Sequence, residues 1–225
     1  VLDVSTGWVD PGLKVQNIPI LKNGTNYIRQ FVSQWNWVEK SISLSNTKTS
    51  RFVIIRDPYE RWLSGFAEDL ELYFIYNKGN ETNTFANNDF NFESDYILNL
   101  FKSTDIYWFF DFLIDKDLCK IDGHSNLQFN AIKNIIDIIG IERLIFIKMT
   151  NRLGDTLNYF LGTKQVRSHF TNEKIYKKNI DTNIIYNRVI QYFSDPRNNN
   201  RKERVLDYLT LDYQLYNSVK FINNN

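Results

Sequence analysis

Two short runs carry side chains suited to holding a phosphate-like anion. In Lys22-Asn23-Gly24-Thr25-Asn26 the glycine permits close backbone approach, and the amides after it can point at a ligand. Lys22 and Thr25 add a charge and a hydroxyl. In Arg56-Asp57-Pro58-Tyr59-Glu60-Arg61-Trp62-Leu63-Ser64 an arginine stands just before a proline, and a hydroxyl follows two helical turns later. A helix N-terminus with a guanidinium beside it suits a phosphate. The plainer reading of this second run is a strand–helix turn whose arginine and aspartate are solvated or paired.

The elements that must position these side chains can be read around them. Phe52 to Ile55 is a continuous apolar run, as in a strand covered on both faces. Pro58 fits the first turn of a helix, where its missing N–H is no loss. Trp62, Leu63, Phe66, Leu70, Tyr73 and Phe74 then recur at helical spacing. Asn17 to Leu21 is read as a first strand, after an irregular lead-in over residues 1–16, and Ile28, Phe31, Val32 and Trp35 as one face of a following helix, capped by Asn23 or Thr25. Residues 39–50 read as a loop or weak edge strand, and Asn77 to Asn91 as a long surface loop. Helices are expected over Phe92 to Phe101, from Ser103 to Leu113, and over Phe129 to Ile139, where the isoleucines also allow a strand. Leu144 to Ile147 reads as a buried strand, followed by a helix capped by Asn151 and closed by Gly162. Further helices hold Ile185 to Phe193 and Val205 to Val219. Strands alternating with helices predict an α/β fold with a central parallel sheet flanked by helices.

Composition narrows the function classes. A length of 225 residues suits one domain with a real core. The net charge of +1 leaves no global field for nucleic acid, so an anion site must be local. One cysteine, Cys119, and two histidines exclude a disulfide within the chain and argue against a cysteine or histidine metal site. No apolar run approaches the roughly 20 residues of a membrane span. The chain begins with Val1, so a trimmed N-terminus remains compatible with the sequence.

Taken together, the two motifs resemble the cofactor-binding pair of the sulfotransferases, particularly the carbohydrate sulfotransferases. In that family a Lys-x-Gly-Thr loop holds the 5′-phosphosulfate of 3′-phosphoadenosine 5′-phosphosulfate, and an Arg-Asp-Pro-x-x-Arg-x-x-Ser segment holds its 3′-phosphate. The matching residues are Lys22, Gly24 and Thr25, then Arg56, Asp57, Pro58, Arg61 and Ser64. Three softer similarities lie downstream. His124-Ser125-Asn126-Leu127-Gln128 is similar to the His-x-x-x-Gln segment of Golgi members. Phe146 to Gly162 is similar to a strand and helix ending in Leu-Gly. Tyr208 to Tyr216 is similar to a C-terminal Tyr-x-x-Asp-x-x-Leu-Tyr pattern. The chain departs from the Golgi pattern in having no cysteine between Gly24 and Thr25 and no disulfides.

The resemblance implies one sulfotransferase-like domain over residues 1–225, with a P-loop-like strand–loop–helix. It implies transfer of a sulfuryl group from 3′-phosphoadenosine 5′-phosphosulfate to a hydroxyl, on a carbohydrate or another acceptor, without a metal and with 3′-phosphoadenosine 5′-phosphate as product. Sulfuryl transfer needs in-line positioning and charge stabilisation more than covalent chemistry. Lys22 would stabilise charge on the bridging oxygen. Asn23, Gly24, Thr25 and Asn26 would line the 5′ end, and Arg56 and Ser64 would hold the 3′-phosphate.

A base for the acceptor hydroxyl is sought among His124, His169 and Glu39. His124 is preferred, as a loop imidazole that titrates in the useful range. Its alternative is a loop histidine bonded to backbone. Glu39 is a candidate because some relatives place a glutamate base between the two motifs, but it reads first as a solvated charge at a helix end, and His169 as part of a basic segment. Trp35, Trp62 and Trp108 are assigned to the core, while Trp8 and Trp37 could stack on a sugar. Lys177-Lys178 and Arg201-Lys202 read as solvated surface or as contacts to an anion. The expected compartment is the cytoplasm, or the Golgi lumen if an anchor has been removed. Two other functions fit the same residues: a non-catalytic nucleotide- or glycan-binding module, and a P-loop-like phosphotransferase. Against the second, that motif runs glycine, lysine, then Ser or Thr, whereas here lysine precedes glycine.

Overall fold

In the computed structural model the described residues are 4–21, 23, 28–29, 35–71, 99–121, 123–162 and 180–222. The chain divides into two compact units. The first comprises Val1–Pro58, Leu127–Glu173 and Leu211–Asn225, and the second Tyr59–Asn126 and Lys174–Thr210.

The first unit is built on a five-stranded mixed sheet. Its strands are β1 (Val4–Val9), β2 (Val15–Ile18), β3 (Val38–Ser43), β4 (Ser50–Ile55) and β5 (Leu144–Lys148), in the order β3-β1-β2-β4-β5. β2, β4 and β5 run parallel, with Ile18 beside Val53 and Val53 beside Phe146. β1 pairs antiparallel with both β2 and β3. The expected parallel sheet is therefore only its β2-β4-β5 half. The described part of the expected irregular lead-in, residues 4–16, belongs instead to a hairpin. Asp10 turns it, its carboxylate accepting from the Gly12 and Val15 amides. β2 accordingly begins at Val15, earlier than the Asn17 expected, and ends at Ile18.

Side-chain alternation gives the sheet two apolar faces. Val53 and Ile55 of β4, with Leu144 and Phe146 of β5, pack with Ile132, Ile135 and Ile139 of helix α3 (Gln128–Ile139). Leu215 of helix α7 (Thr210–Ser218) joins the same cluster. Phe52, Ile54 and Ile147 pack on the opposite side with Ile28 and with Leu153 and Leu157 of α4 (Leu153–Leu161). This two-sided burial is why β4 reads as an unbroken apolar run. Beyond β5, Phe221 forms a parallel bridge to Phe146, and the Ile222 amide donates to the Phe146 carbonyl at 3.0 Å. The Lys148 ammonium lies 5.0 Å from the Tyr216 ring centre, so the C-terminal segment is pinned to the sheet.

Several local expectations are met. β3 is an edge strand exposed along most of its length. Gly162 closes α4 in the left-handed region, at φ 63°. Ser103 begins its helical segment by accepting from the Asp105 amide. The α4 cap differs: Arg152 stands at that position without a side-chain cap, and Thr150, not Asn151, accepts from the Arg152 amide through its hydroxyl.

The second unit is helical: α1 (Pro58–Glu71, counted here from Tyr59), α2 (Tyr107–Asp115), α5 (Ile180–Ser194) and α6 (Asn199–Tyr208). Trp62 of α1 is fully buried, stacks on Phe66, meets Phe193 edge-on, and donates its indole N–H to the Cys119 carbonyl at 2.7 Å. Trp62 is thus core as expected. Trp108 is not, at 40% exposed. Trp8 is core rather than a sugar platform: it is buried in the first unit, with the Arg29 guanidinium 5.7 Å from its ring centre.

Candidate functional site

The parallel pairing of β2 with β4 brings their carboxyl ends side by side. In open α/β sheets that edge is where ligands bind. Asn23 follows β2 and Arg56 follows β4, so these two residues of the candidate runs stand beyond the carboxyl ends of adjacent parallel strands. Lys22, Gly24, Thr25 and Asn26 lie outside the described residues, as does His169.

Gln128, at the first position of α3, joins the two runs. Its Oε1 accepts from Asn23 Nδ2 at 2.5 Å and from the Arg56 amide at 3.1 Å. Its Nε2 donates to the Arg56 carbonyl at 3.1 Å. Gln128 is 1% exposed and Asn23 2%. One buried carboxamide therefore fixes the backbone of Arg56 through both its N–H and C=O, and holds Asn23 by its side chain. Arg56 itself is half-buried.

The start of α3 is held from outside the helix. Leu127, at its N-cap, makes no side-chain cap. Instead Asp212 of α7, fully buried, accepts from the Gln128 amide at 2.9 Å and from the Phe129 amide at 2.8 Å. A carboxylate on two free amides of a helix N-terminus satisfies orphan donors and meets the positive end of the helix dipole.

The second unit contains Ser64 and His124. Ser64 is half-buried on α1, one turn before Glu68. Arg61, part of the same motif, is 1% exposed. His124 sits on this helix. Its Nδ1 lies 3.0 Å from Asp69 Oδ1, and its Nε2 3.6 Å from Glu68 Oε1. Asp69, whose side chain has no exposed surface, also accepts from the His124 amide at 3.3 Å and the Ser125 amide at 2.7 Å. His124 is thus no loop histidine bonded only to backbone: a buried carboxylate orients its ring. Such a pairing fixes the ring's orientation and leaves Nε2 on the side facing Glu68. Gly65 makes the seat possible, since a side chain there would collide with the His124 carbonyl.

The remaining candidates resolve individually. Glu39 is exposed at the second position of β3, opposite Trp8, not at a helix end. Arg201 and Lys202 are not simply solvated surface. Arg201 pairs with Asp111 at 3.0 Å and Asp115 at 2.8 Å, which holds the Asp115 carboxyl below its usual range. Lys202 stands 5.2 Å from the Tyr59 ring centre. Trp37 is half-buried, stacked at a tilt on Trp35. Lys177 and Lys178 lie outside the described residues, as does Asn77 to Asn91. Among the described residues, no group of three or more His, Cys, Asp or Glu is placed to hold a metal, and no helix is long and apolar enough to cross a membrane.

Asp69, Gln128 and Asp212 are the residues that motif reading passed over as site components. Asp69 had a signal: an acid set among Phe66 and Leu70 on the apolar face of a helix needs a buried partner. No family model, curated protein or solved structure matched this chain.

Proposed function

We propose that this protein is a sulfotransferase that moves a sulfuryl group from 3′-phosphoadenosine 5′-phosphosulfate to an acceptor hydroxyl, the acceptor being a carbohydrate by resemblance. The observation that carries the reading is the Gln128 tie between Asn23 and Arg56. Two runs whose residue types suit phosphates at opposite ends of one nucleotide leave adjacent parallel strands and share a buried strut. A sulfotransferase-like phosphate-binding fold is part of the same proposal.

In this reading the chain's work is positioning and charge. Arg56 offers a fixed fork of donors to a phosphate, and its backbone is held from both sides by Gln128. Lys22 neutralises charge on the leaving nucleotide. His124, its Nδ1 held by Asp69, is the proposed proton acceptor through Nε2.

Calorimetry with 3′-phosphoadenosine 5′-phosphate is the direct test, and a folded protein that fails to bind it refutes the reading. With labelled donor and a panel of glycans, Lys22→Ala is expected to lower turnover by two orders of magnitude or more, roughly the ~3 kcal/mol typical of losing one transition-state donor. Arg56→Ala is expected chiefly to weaken nucleotide binding, by about tenfold or more.

A further inference from the structure

Asp212 lies 156 residues after Arg56 in sequence, on the C-terminal helix α7. It nevertheless determines where Gln128 stands. Its two carboxylate oxygens take the amides of Gln128 and Phe129, one each, at 2.9 and 2.8 Å. Those amides set the height and rotation of the first turn of α3, and the Gln128 side chain projects from that turn to Asn23 and Arg56. Asp212 is held in turn by its own helix: Leu215 is in the apolar cluster with Ile132 and Ile135, and Phe221 is bridged to β5. Charge-assisted bonds to backbone amides are short and directional, so a buried carboxylate with two of them places a helix end firmly.

We infer that Asp212 is a positioning residue for the nucleotide-binding runs, acting through the first turn of α3 and the Gln128 carboxamide. The inference rests on the sulfotransferase reading for what the runs bind, but the mechanical coupling stands apart from the ligand. The C-terminal helix thereby sets where Gln128 meets Asn23 and Arg56.

A double-mutant cycle on the full chain tests this, read by hydrogen exchange at the Arg56 amide, whose acceptor is Gln128 Oε1. Gln128→Met keeps the volume and removes all three side-chain bonds, so exchange at Arg56 is expected to rise by tenfold or more. Asp212→Asn keeps the shape but turns a donor toward an amide, and should raise exchange at Arg56 about tenfold while amides in the middle of β4 and β5 change little. Acting through Gln128, Asp212→Asn should add almost nothing in the double variant, because coupled residues are non-additive. Additive effects, or an unchanged Arg56 amide in Asp212→Asn, overturn the inference. If Asp212→Asn does not fold, Asp212→Ser, which keeps one acceptor, takes its place in the cycle. The second readout is affinity for 3′-phosphoadenosine 5′-phosphate, expected to fall about tenfold in each single variant and no further in the double. A wild-type chain that binds no nucleotide refutes the sulfotransferase reading, while the exchange cycle still decides the coupling. Binding by wild type with unchanged affinity in Asp212→Asn refutes the positioning role alone.

Discussion

Gly65→Ala is a one-carbon change whose consequence can be worked out from the seat of His124 on α1. The added Cβ would lie 2.6 Å from the His124 carbonyl carbon and 3.2 Å from the Ser125 nitrogen, and nearer still to the His124 oxygen. Ordinary contact begins near 3.4 Å, so the 123–125 segment must retreat by at least ~0.8 Å. It cannot do so freely. Asp69 holds it by two amides and the imidazole, and Ser125 Oγ accepts from the Ile121 amide at 2.8 Å. Overpacking costs about 1–3 kcal/mol, and weakening one carboxylate bond adds roughly 1.5–3 kcal/mol. Alanine returns about 1 kcal/mol of helix propensity. The net expectation is a loss of about 1.5–5 kcal/mol, seen in urea denaturation as a midpoint lower by roughly 0.5–2 M. Turnover should fall with it if His124 is the base, because the imidazole leaves its carboxylate. A midpoint within about 0.2 M of wild type would show that the seat is slack and that Asp69 does not fix His124.

Two further predictions concern buried polar groups. Arg51 is 3% exposed, and among the described residues its acceptors are the Ser5 hydroxyl and the carbonyls of Ser43, Asn46 and Thr49, so that burial, reinforced by Arg143, lowers its pKa. Arg51→Met should release the turn over residues 43–49, read as faster hydrogen exchange there and a stability loss of about 2–4 kcal/mol, whereas unchanged exchange would show that those carbonyls are held by other means. Burial pushes the Cys119 thiol up to about 11, with Asp117 adding to the effect. The native state then keeps its proton where the unfolded chain, near 9.0, releases it. The contribution is complete below pH 9, and stability should decline as pH rises from about 9 toward 11. At pH 8 the thiolate fraction is about 100-fold below that of the unfolded chain, so alkylation by iodoacetamide should be slower by at least that factor. Labelling at the unfolded rate would mean that the Cys119 region opens readily.

What the sequence disclosed depended on whether the signal was local. β4 and α1 were legible because a four-residue apolar run, a proline at the first helical turn and helical spacing lie within twenty residues. β1 was not. Val4 to Val9 sets Ser5, Thr6 and Gly7 in one run between apolar ends, with no alternation to mark a strand, and its strand character comes from pairing on both sides with β2 and β3. Its Pro11-Gly12 turn was visible, but without credible strands on either side it read as irregular. The antiparallel half of the sheet was lost for the same reason. In the candidate site the residue types were legible and the strut was not. Gln128 acts on a backbone 72 residues away, and only the β2–β4 pairing brings Asn23 within its reach. Arg201 and Lys202 read as surface because their partners, Asp111, Asp115 and Tyr59, lie on other helices.

The segment from His124 to Gln128 has one property that no motif states. Each end is held by a buried aspartate that takes two consecutive backbone amides: Asp69 those of His124 and Ser125, Asp212 those of Gln128 and Phe129. Such bonds fix the main chain whatever side chains it carries, because the donors are amide N–H groups common to every residue but proline. Placement is thus assigned to Asp69 for His124 and Ser125, and to Asp212 for Gln128 and Phe129. The imidazole and the carboxamide are thereby relieved of holding their own backbone. Gln128 directs its carboxamide at Asn23 and Arg56, and His124 presents Nε2 on the side away from Asp69. Substitution of His124 or Gln128 therefore removes a side-chain role from a main chain that stays in place, while substitution of Asp69 displaces the main chain at His124 and substitution of Asp212 that at Gln128.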